Sequence, residues 1–130
     1  MLGRYTRREV TISDGEALSD ALKMNGLKLV GIVQPADCEG TAFGLKASYD
    51  EGANYVAVYN AIQESTGAAP VTALWEVTKS ATVAQWINLP AAFHFRGADY
   101  IKVQSEDGSN AASNQTGDAV ITLVFEEETP

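Results

Sequence analysis

The feature that most constrains this chain is a succession of short apolar or alternating runs, each closed by turn-forming residues. They are REVTIS (8–13), LKLVGIV (27–33), TAFGLKAS (41–48), ANYVAVYNA (53–61), VTALWEVTK (71–79), the stretch 82–89, YIKVQ (100–104) and AVITLVF (119–125). Apolar residues two apart put one face of a strand in a core, and Gly, Pro, Asn and Asp between the runs supply the turns. No internal repeat, heptad or strand–helix–strand alternation competes. The expectation is therefore an all-β chain: a single-domain, jelly-roll-like β-sandwich of about eight strands, with an immunoglobulin-like sandwich as the alternative. At 130 residues, 45% of them hydrophobic, the chain suits one core.

Within this frame the residues make local predictions. Val10 and Ile12 face inward from the first strand. Residues 13–26 form a short helical turn on Ala17, Leu18, Ala21 and Leu22, capped by Ser13 or Asp14, before a turn at Asn25-Gly26. The run 27–33 is buried on both faces. Phe43, Leu45 and Ala47 share a face, with Gly44 marking a bulge or a close backbone approach. Val56 and Val58 oppose Tyr55, Ala57 and Tyr59, leaving two aromatics for a second layer or a partner. Residues 63–70 are an exposed loop. In the stretch 82–105, read as the spine, Pro90 stops a strand and PAAFHF makes a compact or 3₁₀ turn. Residues 105–118, rich in Ser, Asn, Asp and Gly, form a flexible or binding loop, and 119–125 is a central strand despite its terminal position.

Charge divides the chain further. A formal net charge of −8 disfavours nucleic acid as a partner. Arg4, Arg7 and Arg8 concentrate positive charge at one end, and Glu126, Glu127 and Glu128 concentrate negative charge at the other. The division expected is an N-terminal arm (1–9), a sandwich domain (10–126) and an acidic tail (127–130). The termini are read as solvated and lying side by side; the alternative is an arm that docks on an oppositely charged surface. The sequence has neither a long apolar run nor an apolar core near its N-terminus, so it is read as a soluble product of the cytoplasm with no membrane partner.

The chemistry-bearing residues are sparse. Cys38 is the only cysteine, which excludes an intrachain disulfide and a cysteine-based zinc cage, and it is read as a buried small apolar residue. His94 is the only histidine, too few for a cupin-type metal cluster, and is read as packed or capping. No G-x-S-x-G elbow or glycine-rich phosphate loop is present. The acidic pairs Asp50-Glu51 and Glu106-Asp107 lie in turn-like segments, unlike two carboxyls held across a cleft. Asp107, Asn110 and Asn114 lack calcium-loop spacing. Trp75, Trp86, Tyr55, Tyr59 and Tyr100 would make a carbohydrate platform only if exposed, and both tryptophans are expected to be buried. The reading is a protein that is not an enzyme and uses no metal or cofactor.

The segments SDALKMNGLKLVGIVQPA, TAFGLKASYDEGANYVAVYN, ATVAQWINLPAAFHFRGADYIKVQS and NQTGDAVITLVF, in that order, resemble a group of small tailed-phage and prophage proteins encoded near the capsid genes. The likeness runs from Val10 to Phe125. It rests on Val33 and Pro35, on Phe43 and Tyr55, on the Leu89 to Phe93 turn, and on the Arg96 to Val103 step. It implies a β-sandwich virion component of the capsid decoration (cement) or head-fibre type, lying on the capsid surface with the major capsid protein as partner. It also implies a homo-oligomer, with a trimer preferred at capsid three-fold positions. Arg4, Arg7, Arg8, Tyr55 and Tyr59 are the partner-binding candidates. A carbohydrate-binding module of a tail or fibre is the alternative.

Overall fold

In a computed structural model, the chain is described over residues 4–24, 26–62, 65–94 and 98–127, with backbone alone for 62 and 90–94. Its elements are β1 (Arg4–Ile12), β2 (Leu22–Lys23), β3 (Leu27–Gln34), β4 (Ala42–Ser48), β5 (Val56–Ala57), β6 (Tyr59–Ile62), β7 (Val71–Leu74), β8 (Glu76–Thr78), β9 (Gln85–His94), β10 (Tyr100–Glu106) and β11 (Ala119–Glu127). The fold is all-β. Among the described residues there is no helix, and so none long and apolar enough to cross a membrane.

Two sheets share one core. The first has the order β1-β11-β3-β9; in the second, β10 and β4 are central, β2 lies on one side, and β5 and β8 share the other edge of β4. The inward residues of the first sheet are Val10, Ile12, Leu29, Ile32, Ile121, Leu123 and Phe125. They meet Phe43, Leu45, Ile101 and Val103 of the second in a single buried cluster, which makes the molecule a β-sandwich. All these pairings are antiparallel. The alternation read for 8–13, 41–48 and 100–104 places these side chains as expected.

The β-branched terminal run is indeed central: β11 lies between β1 and β3. Residues 4–9, read as an arm, continue β1 and pair with β11 along its length, so Arg4 stands opposite Glu127 and Tyr5 opposite Glu126. The oppositely charged termini therefore lie side by side. Lys28 on β3 reaches Glu126 from the other flank at 3.2 Å.

Three local expectations are corrected. Residues 13–24 form no helical turn. Leu18 bridges Gln104 and Leu22 pairs with Ile101, and the Ser19 N–H donates to the Val103 carbonyl at 2.8 Å. The free edge of β10 thus takes the backbone groups that a helix would have satisfied internally. Nor does Pro90 end its strand. Between the pairs Gly31↔Asn88 and Leu29↔Phe93, β9 carries several more residues than β3, and this irregularity on an edge strand is where a residue without an N–H is tolerated. The expected single strands at 53–61 and 71–79 are each broken, at Val58 and Trp75. There the chain leaves β4, and β6 and β7 form a separate two-stranded ribbon. These breaks, with the short β2, account for eleven segments among the described residues where about eight were expected.

The loop after β10 is packed onto the sandwich. The Gln115 side chain, 3% exposed, exchanges hydrogen bonds with the backbone of Glu39 at 2.9 and 3.1 Å. The packing expected of Phe93, His94 and Phe95 lies outside the described residues, as do Asn25, residues 63–64, residues 96–97 and the tail beyond Glu127.

Candidate functional site: an aromatic groove on the outer sheet face

The outer face of the first sheet carries a groove of about 880 Å³, lined by Tyr5, Thr6, Arg7, Val30, Trp86, Asn88, Leu89 and Val124. Strand alternation builds it. With Val10 and Ile12 turned inward on β1, Tyr5 and Arg7 turn outward; with Leu123 and Phe125 inward on β11, Val124 turns outward. On β9, Ile87 packs against the core while Trp86 and Asn88 face out.

Gly31 opens the floor. It stands between Val124 and Asn88 on the neighbouring strands, and a Cβ there would come within 3.3 Å of Trp86 Nε1 and 3.5 Å of the Val124 side chain. The indole therefore lies over bare backbone. The registers on both sides of β3 shift beside Val30, a β-bulge that turns Val30 and Gly31 outward in succession. Instead of being buried on both faces, β3 uses its outer face to line this groove.

The groove is open to solvent at its aromatic residues: Trp86 is 54% exposed and Tyr5 66%. The burial expected of both tryptophans holds for Trp75, at 9%, and fails for Trp86. The reason is the row it occupies. Trp86 pairs with Val33 on the sheet's outer side, where among the described residues no second layer covers it.

The sequence-derived candidates fall in two places. Arg4, Arg7 and Arg8 are exposed on β1, the free edge of the first sheet, and Arg7 contributes to the groove. Arg8 Nη1 donates to Thr6 Oγ1 at 2.8 Å, holding its head along the strand. Tyr55 and Tyr59 belong elsewhere. The Tyr55 ring, partly buried, has Lys102 Nζ 4.5 Å from its centroid, and burial followed by neighbouring Tyr100 and Asp50 raises its phenol above the usual value. Tyr59 lies on the β6–β7 ribbon and is 52% exposed. The structure does not join these tyrosines to the arginines.

Two other polar centres were not anticipated. Lys79 is buried, with Nζ donating to the carbonyls of Cys38 at 2.7 Å and Gly40 at 2.9 Å and lying 4.9 Å from the Phe43 ring centroid. Burial lowers its pKa. Burial likewise raises the Cys38 thiol, outweighing the lowering by nearby Lys79, so this is an unactivated thiol beside a structural ammonium. The second centre joins Glu76 and Glu106 across β4, at a position where Gly44 lacks a side chain. Among the described residues, no cluster of three or more His, Cys, Asp or Glu side chains is arranged to hold a metal ion. Comparison with protein-family models, with curated proteins and with solved structures returns no match.

Proposed function

We propose that this chain is a structural virion protein, a capsid decoration protein that docks on the outer surface of a tailed-phage head through the outer face and free edge of its first sheet. The observation that carries the docking is the groove with Trp86, Tyr5 and Arg7 at its walls. Trp, Tyr and Arg dominate the binding energy of protein interfaces, where an anchor fills a pocket surrounded by near-neutral contacts. The head as the partner rests on the resemblance to phage proteins described above. The basic edge at Arg4, Arg7 and Arg8 on an otherwise acidic molecule favours an acidic partner surface and orients the encounter. Assembly as a homo-oligomer, with a trimer preferred, and a jelly-roll variety of the sandwich belong to the same reading.

The test is co-sedimentation of the purified chain with tailed-phage heads built from a major capsid protein. Wild type pellets with the heads, and Trp86→Ala weakens binding by about ten-fold or more, as expected of a hot-spot residue. One observation supports the carbohydrate-binding alternative: an exposed indole next to Asn88 and Arg7 also suits a sugar ring. Saturable glycan binding without head binding would favour it.

A further inference from the structure

Glu106 points outward from β10, yet it is 1% exposed. Gly44 faces Gln104 on one side and Glu76 on the other, and the Glu106 carboxyl occupies the space that a Cβ at Gly44 would overlap. Gln104 Nε2 donates to Glu106 Oε2 at 2.8 Å. Oε1 is buried and has no hydrogen-bond donor among the described residues, although the Glu76 carboxyl lies within hydrogen-bonding reach. Two ionised carboxylates placed this way would repel, whereas one proton between them makes a short, charge-assisted hydrogen bond.

We propose that Glu76 and Glu106 share a single proton, and that this proton latches the 107–111 turn over the outer face of the second sheet. The turn closes on itself, the Asp107 N–H donating to the Ala111 carbonyl at 2.8 Å and the Ala111 N–H to the Gly108 carbonyl at 2.9 Å, so the latch concerns how its tip is held against the sheet. Gly108, Ser109 and Asn110 take φ of 88°, 49° and 65° in succession, a left-handed path that costs a serine more than a glycine. The contacts of its tip with the sheet's side chains lead back to the pair: the Asn110 N–H donates to Glu76 Oε2 at 3.3 Å, and Gln104 Nε2 also approaches Asn110 Oδ1 at 3.3 Å. Loss of the proton sets two negative charges against each other and drives apart the groups that hold the turn.

The surroundings agree. Burial, then the hydrogen bond with Glu76, then repulsion by Glu76 push the Glu106 carboxyl up to about 7, while Gln104 and Lys46 on β4 pull it down. Glu76 is lowered, first by its hydrogen bond with Glu106 and then by the N–H groups of Asn110 and Ser109. Asp107 follows Glu106 in the turn, and Lys79 after β8 lies on the core side, its ammonium over the Phe43 ring and bonded to the Cys38 and Gly40 carbonyls. A carboxyl raised in the folded state contributes stability below its unfolded value near 4.5, and loses it as pH rises through about 7.

The experiment combines a pH titration of the Glu106 carboxyl carbon by NMR with melting temperatures from about pH 4.5 to about pH 8.5, spanning that loss. Glu106 is expected to titrate near neutrality, and the wild-type melting temperature to fall by several degrees across the range. Glu106→Gln, whose amide donates to Glu76 without needing a proton, is expected to flatten that fall, as is Glu76→Gln. Titration of Glu106 in the ordinary carboxylate range would overturn the proposal, as would a fall in both variants parallel to wild type. Recovery of the low-pH melting temperature at high pH on adding calcium would also overturn it, showing that the pair is built for a cation.

Discussion

Trp86 and Trp75 differ in what faces them. Trp75 is enclosed at the break between β7 and β8, while Trp86 stands over Gly31 on an open sheet face. The expected consequence is that iodide quenches part of the native fluorescence and that Trp86→Phe removes the quenchable part. Gly44 carries a different prediction. A Cβ there overlaps the Glu106 carboxyl, so Gly44→Ala is expected to cost about 1–3 kcal/mol in urea unfolding, the usual range for overpacking. Most of that cost should vanish when Glu106 is replaced by Ala, which a double-mutant cycle measures. Lys79→Ala leaves two buried carbonyls without their donor, a loss of about 1–3 kcal/mol. Asp50 behaves oppositely to Glu106 with pH. Hydrogen bonds from Asn54 and Ser48 hold it at about 2, so its exposed turn contributes above the unfolded value of 3.8 and loses that contribution only as pH falls towards 2.

The elements show which signals a sequence carries and which it does not. Period-two alternation is a property of one strand, so the inward faces of β1, β4 and β10 could be read directly. A turn or a strand end is decided by what lies alongside. Residues 13–24 contain good helical spacing, but the exposed edge of β10 offers backbone partners, and tertiary pairing wins over a short local preference. Pro90 is compatible with β9 only because β3 permits an irregularity opposite it. The groove was illegible for the same reason: it needs Gly31, Trp86, Tyr5 and Val124 from four different strands. The charged edge, by contrast, was evident as Arg4, Arg7 and Arg8. Because these residues belong to β1, deleting them would uncover β11 and confound any binding assay. Substitution of all three by Gln instead should leave the melting temperature within a few degrees of wild type, since exposed charges contribute little. It should also weaken head binding and reduce its salt dependence.

For the whole molecule, the sandwich separates two tasks. Its inner faces are committed to one core drawn from both sheets, and under the proposed docking an outer face meets the partner. The second sheet covers part of its outer face with the 107–111 turn and the Glu76–Glu106 pair. The first presents an aromatic groove beside a basic edge that, among the described residues, pairs with no further strand. Long exposed edges are usually guarded by charge against self-pairing, and β1 is so guarded; under the proposed docking its partner surface is acidic. The most direct test is therefore quantitative co-sedimentation with heads lacking this chain, comparing wild type, Trp86→Ala and the triple arginine-to-glutamine variant with folding verified for each. Saturable binding by wild type and marked loss in both variants are expected. Absence of wild-type binding, or binding unchanged in both variants, would contradict the proposed docking.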